Sequence, residues 1–322
     1  MQTTTLAHTG LTVSRICFGT MTFGGQADAA ESARMIDTCF DNGVNFIDTA
    51  NVYTNSASET ILGEILKGRR DRVVLASKVR GKTGEGADQV GLSRPAMMRA
   101  IDESLRRLQT DRLDLYYLHQ PDYATPVEET LATMDELVKA GKVRYPAVSN
   151  YASWQVTHML SLADRHGYKP ARVSQPMYNL IARGLEQEYL PMCKQMGVST
   201  IVYNPLAGGM LTGKQKRDSP IAGSRFDNNK MYLDRYWHDQ DFNAIERLRE
   251  IAAASGRSMV SMALNWILHH TPVDCMILGA SRDEQLRENL KTLDDGPLTP
   301  DTLTACDEVW KQLRGITPQY NR

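Results

Sequence analysis

The sequence predicts a (β/α)8 barrel, and three of its features carry that expectation. Short runs rich in Val, Ile and Leu alternate with longer stretches of helical periodicity. Eight such β/α units fit within 322 residues, the size of a TIM-barrel domain. The first strand is followed by "GTMTFGG", residues 19–25, and not by the GxGxxG that a doubly wound dinucleotide fold places there. Near-continuous apolar strands, each followed by an amphipathic helix, form a parallel sheet covered by helices, because both strand faces are buried. No internal repeat, low-complexity tract or linker breaks the alternation, so residues 1–322 are expected to form a single domain.

The elements follow in order. The opening "MQTTTLAHTG" has an alternating, Thr-rich pattern, read as a short N-terminal hairpin closing the bottom of the barrel. The strands are "RICFG", "VNFID", "RVVLASK", "RLDLYYLH", "KVRYPAVSN", "ARVSQ", "VSTIVYN" and "DCMILGAS". Asp28 with Glu31 and Ser56 with Glu59 have the spacing of capping boxes. Pro95 and Pro126 fall where a first helical turn tolerates a missing N–H. Ile101, Leu105 and Leu108 recur at helical spacing, as do Val127, Leu131, Met134 and Val138. Pro146 cannot donate to a sheet ladder, so the fifth strand is expected to be locally irregular. Residues 206–241, polar and rich in Gly, Lys and Asn, read as a long functional loop after the seventh strand.

Composition narrows the partners. With 37 basic and 38 acidic side chains and no basic stripe, nucleic acid and anionic membrane are not expected. The first residues lack the cationic start and apolar core of a signal peptide. The most apolar helical run, "MVSMALNWIL", has about half the length a bilayer span needs. A soluble cytoplasmic protein is expected. Cys17, Cys39, Cys193, Cys275 and Cys306 form no CxxC pair and read as buried thiols in a reducing compartment. No HExxH occurs, and adjacent His269 and His270 face different directions on a helix, so no metal site is expected.

Polar residues gather where the apolar strands end. Asp48 closes the second strand, Tyr53 lies just beyond it, Lys78 closes the third and His119 the fourth. Barrel chemistry sits at these ends. Singly, each has a structural reading: a strand-terminating Asp, a half-buried Tyr, a surface Lys, a satisfied His. Together they form one chemical unit. A phenol is a poor acid at neutral pH, with a pKa near ~10. An ammonium about 4 Å away would favour the phenolate by roughly 4 kcal/mol at an effective dielectric of about 20. Asp48 would hold that ammonium, and His119 would orient a carbonyl oxygen. Such apparatus supplies a proton but no electrons, so a cofactor must bring the hydride.

In "FIDTANVY", "LASKV" and "LDLYYLHQPD", the order Asp48, Tyr53, Lys78, His119 resembles the catalytic tetrad of the aldo-keto reductases, and the resemblance runs from near Gly10 to the C-terminus. The stretches "TPVEETLATMDELVKAGKV", "SNYASWQV" and "YNPLAGGMLTGK" are most similar to the aflatoxin-aldehyde reductase branch and its bacterial relatives. The resemblance implies a (β/α)8 barrel that binds NADP(H) across its C-terminal face without a Rossmann fold. It implies NADPH-dependent reduction of a small-molecule aldehyde or ketone, with Tyr53 as the general acid.

The resemblance also implies a cofactor path. Ser149, Asn150 and Gln175 would bind the nicotinamide carboxamide, and Tyr203 would stack on its ring. Around the pyrophosphate it places Asn204, Pro205, Leu206, Gly208, Gly209, Leu211, Gly213 and Lys214, the glycines letting backbone N–H groups approach. Gly279 would adjoin the cofactor, Ser281 and Arg282 would face the 2′-phosphate, Gln285 and Asn289 the adenine, and Arg225 would clamp from the long loop. The alternative for Ser281 is plain helix capping with a solvated Arg282. Tyr232 and Arg235 would reach over the pocket to the substrate, where a guanidinium favours a carboxylate. The alternative is that Arg235 pairs with Asp234 or Asp239. One departure from the family pattern is "RYPAVSN", in which Pro146 and Ala147 replace the usual Gly before Val-Ser-Asn.

Two other function classes fit a barrel of this kind. One is an NADPH-binding regulatory or redox-sensing subunit with slow turnover that serves a membrane partner; the opening residues hold no extension expected to reach one. The other is a pure binding barrel with a vestigial site, against which the full tetrad argues. The sequence is compatible with a monomer or a homodimer.

Overall fold

A computed structural model of the protein describes residues 1–316, and the chain forms two compact units. Positions 317–322 of the expected single domain lie outside the described residues. The first unit comprises Met1–Pro176, Pro191–Ile201 and Asp274–Arg287. The second comprises Met177–Leu190, Val202–Val273 and the described residues from Glu288 onward.

The strands, in chain order, are β1 (Thr3–Thr5), β2 (Thr12–Ser14), β3 (Ile16–Gly19), β4 (Phe46–Asp48), β5 (Val74–Val79), β6 (Leu113–Leu118), β7 (Val143–Ser149), β8 (Val173–Gln175), β9 (Ser199–Val202) and β10 (Cys275–Gly279). The helices are α1 (Ala29–Asp41), α2 (Ala57–Leu66), α3 (Arg94–Leu108), α4 (Val127–Lys139), α5 (Ser153–His166), α6 (Tyr189–Met196), α7 (Lys230–Tyr236), α8 (Asp239–Ala254), α9 (Met259–His270), α10 (Asp283–Lys291) and α11 (Pro300–Arg314).

Strands β3 to β10 close into an eight-stranded barrel, and the paired neighbours run parallel. Each of the eight apolar runs holds one barrel strand, so the fold is the (β/α)8 barrel the sequence predicts. The hairpin is present too: β1 pairs antiparallel with β2. Leu6, Leu11 and Val13 of this hairpin pack into one buried cluster with Phe46, Leu115, Val173, Ile201 and Cys275. The Ala7 amide donates to Ser199 Oγ at 2.8 Å, which ties the hairpin to the start of β9. Burial of such side chains contributes roughly 1.5–3 kcal/mol each, which holds the hairpin on the N-terminal end of the barrel. All five cysteines are buried and free.

Several local expectations are corrected. Asp28 does cap α1, accepting from the Glu31 amide, but Glu31 does not reach back; its carboxylate accepts from the Asp283 amide instead. Ser56 makes no side-chain cap on α2 and sits at φ 72°, with its hydroxyl donating to the Asn51 carbonyl. Its partner Glu59 is fully buried, accepting from Ser77 Oγ at 2.5 Å and Arg107 Nε at 2.8 Å. A buried carboxylate is held by the strongest donors near it, and a strand hydroxyl and a guanidinium outcompete a backbone N–H. Pro95 lies in the first turn of α3, whereas Pro126 is the N-cap of α4. The buried face of α4 carries Leu131, Met134 and Leu137, with Val127 and Val138 half-buried. Pro146 leaves β7 unbroken: it is in register with Tyr116, and pairing with β8 begins only at Val148, past the residue that lacks an N–H.

Segment 206–241 of the second unit is more ordered than a long loop. It holds a 3-10 turn over Ala207–Thr212, helix α7 and the start of α8. In the same unit α11 packs on α8, and the Tyr178 and Trp266 rings lie 5.3 Å apart.

Candidate active site

Asp48 ends β4, and Lys78 lies near the end of β5, the strand paired with it. The Lys78 side chain is fully buried, and its ammonium has three donors to place. One goes to Asp48 Oδ1, one to the Thr49 carbonyl at 2.8 Å and one to Tyr53 Oη at 3.1 Å. Burial works against the charge on Lys78, but Asp48 and Tyr53 outweigh it and hold the ammonium above the ordinary lysine pKa. Tyr53 opens a 3-10 turn whose next three residues, Thr54, Asn55 and Ser56, all have positive φ. Thr54 Oγ1 donates to the Phe23 carbonyl at 2.6 Å and pins that turn. The phenol oxygen accepts from Lys78, so the phenol's own proton is not spent on Lys78.

His119 follows β6, and its amide donates to the Val79 carbonyl at 2.9 Å. Its ring stands edge-on to Tyr53, with centroids 6.0 Å apart. Burial, then the charges of Lys78 and Arg80, push the imidazole down to about 3, so it is neutral at physiological pH. The four sequence-predicted residues therefore meet in one place.

Three further expected residues adjoin them. Gln175 Nε2 donates to Asp48 Oδ2 at 2.9 Å, so both oxygens of this carboxylate are bonded. Ser149 Oγ donates to the Gln175 carbonyl at 2.8 Å. Asn150, with φ 62°, donates through its amide to the His119 carbonyl at 2.8 Å. At the start of α10, Gln285 Oε1 accepts from both the amide and the hydroxyl of Ser281, while Arg282 is exposed beside it. Gly279, the last residue of β10, is exposed and paired with Gly19.

The other expected residues lie in the second unit. Tyr203 is half-buried, and its carbonyl accepts from the Tyr178 amide. Pro205 and Leu211 are buried, Leu206 is half-buried and Lys214 is exposed. Asn204, Gly208, Gly209 and Gly213 all have positive φ. A Cβ on Gly208 would lie 2.7 Å from Tyr232, and one on Gly213 would lie 2.7 Å from Met259 Sδ; at Gly209 the space is open. Packing therefore already requires glycine at two of the three positions. Tyr232 is 4% exposed, its oxygen accepting from Arg225 at 3.2 Å and its hydroxyl donating to Asn204 Oδ1. Arg235 lies over the Tyr232 ring. Its alternative partners pair elsewhere, Asp234 with Lys230 and Asp239 with Arg217. Among the described residues, the buried amide nitrogens of Asn204 and Asn289 have no partner.

The sequence model of the Aldo/keto reductase family matches residues 15–311. The chain belongs to this family. It is 37% identical to aflatoxin B1 aldehyde reductase member 2 of Homo sapiens, over 94% of this chain and 88% of that protein. It is 36% identical to a probable voltage-gated potassium channel subunit beta of Oryza sativa subsp. japonica, over 99% of this chain and 100% of that one. Aldo-keto reductase family 7 member A3 of Homo sapiens is 37% identical over 94% of the chain. Aldo-keto reductases are oxidoreductases that use nicotinamide cofactors. No helix among the described residues is long and apolar enough to cross a membrane.

Two features of this aldo-keto reductase site were not read from the sequence. The Gln175–Asp48 bond joins residues 127 positions apart, and nothing local announces it. Arg80 lies two residues past Lys78 at φ 126°, and the basic "KVRGK" run could have drawn attention to it.

Proposed function

We propose that this aldo-keto reductase reduces aldehydes or ketones to alcohols with NADPH. The observation that carries the reading is the 3.1 Å bond from Lys78 Nζ to Tyr53 Oη, made by an ammonium whose other donors are fixed on Asp48 and Thr49. When bound, a reduced nicotinamide supplies the hydride that the carbonyl carbon accepts. Tyr53 gives its proton to the carbonyl oxygen as negative charge builds there, and Lys78 stabilises the phenolate that remains. Asp48 keeps Lys78 charged and in place. Neutral His119 donates an N–H to the same oxygen and orients it.

The residues present fit such a cofactor. Polar Ser149, Asn150 and Gln175 cluster beside the tetrad, where a carboxamide would find donors and acceptors. Tyr203 offers a ring face, and Gly209 leaves room for an oxygen of the pyrophosphate carried by Asn204–Lys214. Asn204 and Asn289 each keep a buried amide donor that a ligand oxygen would satisfy. Ser281 and exposed Arg282 suit a 2′-phosphate, with Gln285 and Asn289 toward the adenine and Arg225 as a clamp. Tyr232 and Arg235 are assigned to the far end of the substrate.

A carbonyl panel assayed by loss of reduced-nicotinamide absorbance tests this, with Tyr53→Phe as control. Turnover of several carbonyls by the native chain and its loss in the variant are expected. Equal rates in both proteins would overturn the assignment. The likeness to proteins named as potassium channel beta subunits favours a second reading, a cofactor-sensing subunit. In that case, the chain would hold NADPH through gel filtration and turn over only once per binding event.

A further inference from the structure

We propose that Arg80 is an anion-binding residue of this site, taking the carboxylate or phosphate of a carbonyl substrate whose anionic group lies within a few bonds of the carbonyl. The inference rests on the reductase reading above and adds a substrate class to it.

The backbone places Arg80 beside the chemistry. Val79 ends β5 opposite Leu118 of β6, and the His119 amide bonds to the Val79 carbonyl at 2.9 Å. Arg80 and His119 are thus the next residues on two adjacent strand ends, and neighbouring strands lie about 4.8 Å apart. His119 is the residue proposed to orient the carbonyl, and the charge of Arg80 acts on its ring.

The backbone there is also costly. Arg80 has φ 126°, outside the left-handed well near 50–70° that holds most of the chain's other positive-φ residues lacking glycine. A side chain kept in a conformation that glycine adopts more easily points to use of the side chain.

The guanidinium is not consumed by the protein. Among the described residues Arg80 forms no ion pair or side-chain hydrogen bond, and its Nε is buried without a partner. The carboxylates around it are engaged. Asp122 accepts from the Leu92 and Ala124 amides and from Thr125 Oγ1. Asp88 and Glu103 bond to Arg99. Asn51 Oδ1 is also unpartnered and lines the same cavity as Arg80, and one bond to Nε would leave the terminal nitrogens unused. The charge of Arg80 reaches His119, Asp122 and Tyr151, around the mouth beyond β6 and β7. A planar fork without a side-chain hydrogen-bond partner, on the strand end next to the one that carries His119, matches two oxyanion oxygens at once.

Arg80→Gly removes the cation and relaxes the backbone, so it is expected to fold at least as well as the native chain; Arg80→Lys keeps the charge without the fork. Each is assayed with NADPH on glyoxylate against neutral methylglyoxal, and on glyceraldehyde 3-phosphate against glyceraldehyde. In Arg80→Gly, kcat/KM for the anionic member of a pair should fall about tenfold or more, the scale of one charge-assisted hydrogen bond, with the neutral member within about twofold. Arg80→Lys should recover part of the loss. A fall only in the first pair assigns a carboxylate, and a fall only in the second assigns a phosphate. Equal changes within both pairs, with methylglyoxal still turned over, would overturn the role of Arg80 and leave the reductase reading standing. Failure of the native chain to reduce any of the four would remove both.

Discussion

Lys78 Nζ lies 3.1 Å from Tyr53 Oη while Asp48 and the Thr49 carbonyl take its remaining donors. One ammonium thus serves both stability and chemistry, and two variants separate the roles. Tyr53→Phe removes the acid but leaves the Lys78–Asp48 pair intact. Turnover should fall at least ~10²-fold, the scale of general acid catalysis, with little change in unfolding midpoint. Lys78→Met should abolish turnover and also cost roughly 3–5 kcal/mol, because Asp48 is left as a buried, uncompensated charge. Denaturant unfolding beside the activity assay checks both; a Lys78→Met protein as stable as the native chain would contradict the buried pair.

His119 gives a pH signature. Its folded pKa is about 3 against an ordinary value of 6.5, so between those values the unfolded chain binds the extra proton. Stability is therefore fully present above about 6.5 and is lost as pH falls toward 3, with a limiting slope of about 1.4 kcal/mol per pH unit. His119→Asn should flatten that dependence between pH 7 and pH 5, removing little of the slope at pH 7 and most of the limiting slope at pH 5. In an NMR titration of the imidazole carbons, the native signal absent from His119→Asn should stay at its neutral position at pH 5. Its movement with a midpoint near 6.5 would show a hydrated ring and remove the neutral-donor role.

Cofactor choice is tested at α10. Gln285 already caps Ser281, which leaves exposed Arg282 as the cation for a 2′-phosphate. Arg282→Ala should weaken NADPH binding about tenfold, followed by quenching of protein fluorescence, and leave NADH binding unchanged. Equal losses for both cofactors would mean that Arg282 acts on something other than the 2′-phosphate.

The tetrad could be read from the sequence because a barrel converts position along an apolar run into position in space. Asp48, Lys78 and His119 each stand where such a run stops, and parallel closure brings those ends together. What escaped reading depends on contacts between distant segments. Ser56 and Glu59 have capping-box spacing, yet Ser77 and Arg107 claim the Glu59 carboxylate. Pro146 looks disruptive until the register shows that β8 pairs only beyond it. The glycines of 204–214 suggest ligand access by composition, but Gly208 and Gly213 are also demanded by Tyr232 and Met259 packing against them.

Gln175 shows how such a hidden contact bears on catalysis. Its side-chain amide donates to Asp48 Oδ2 at 2.9 Å, and it is 3% exposed. A hydrogen bond to a charged carboxylate favours the charged form, so Gln175→Leu should raise the Asp48 pKa. The carboxylate would then protonate at a higher pH, and Lys78 would lose its counter-charge earlier on acidification. The acid limb of the kcat profile should move upward in Gln175→Leu, and stability should fall by roughly 1–3 kcal/mol for the unsatisfied buried oxygen. If Gln175 served the cofactor alone, its loss would raise the Kd for NADPH and leave the acid limb of kcat in place. The kcat profile at saturating NADPH therefore separates a residue that positions Asp48 from one that only binds the carboxamide.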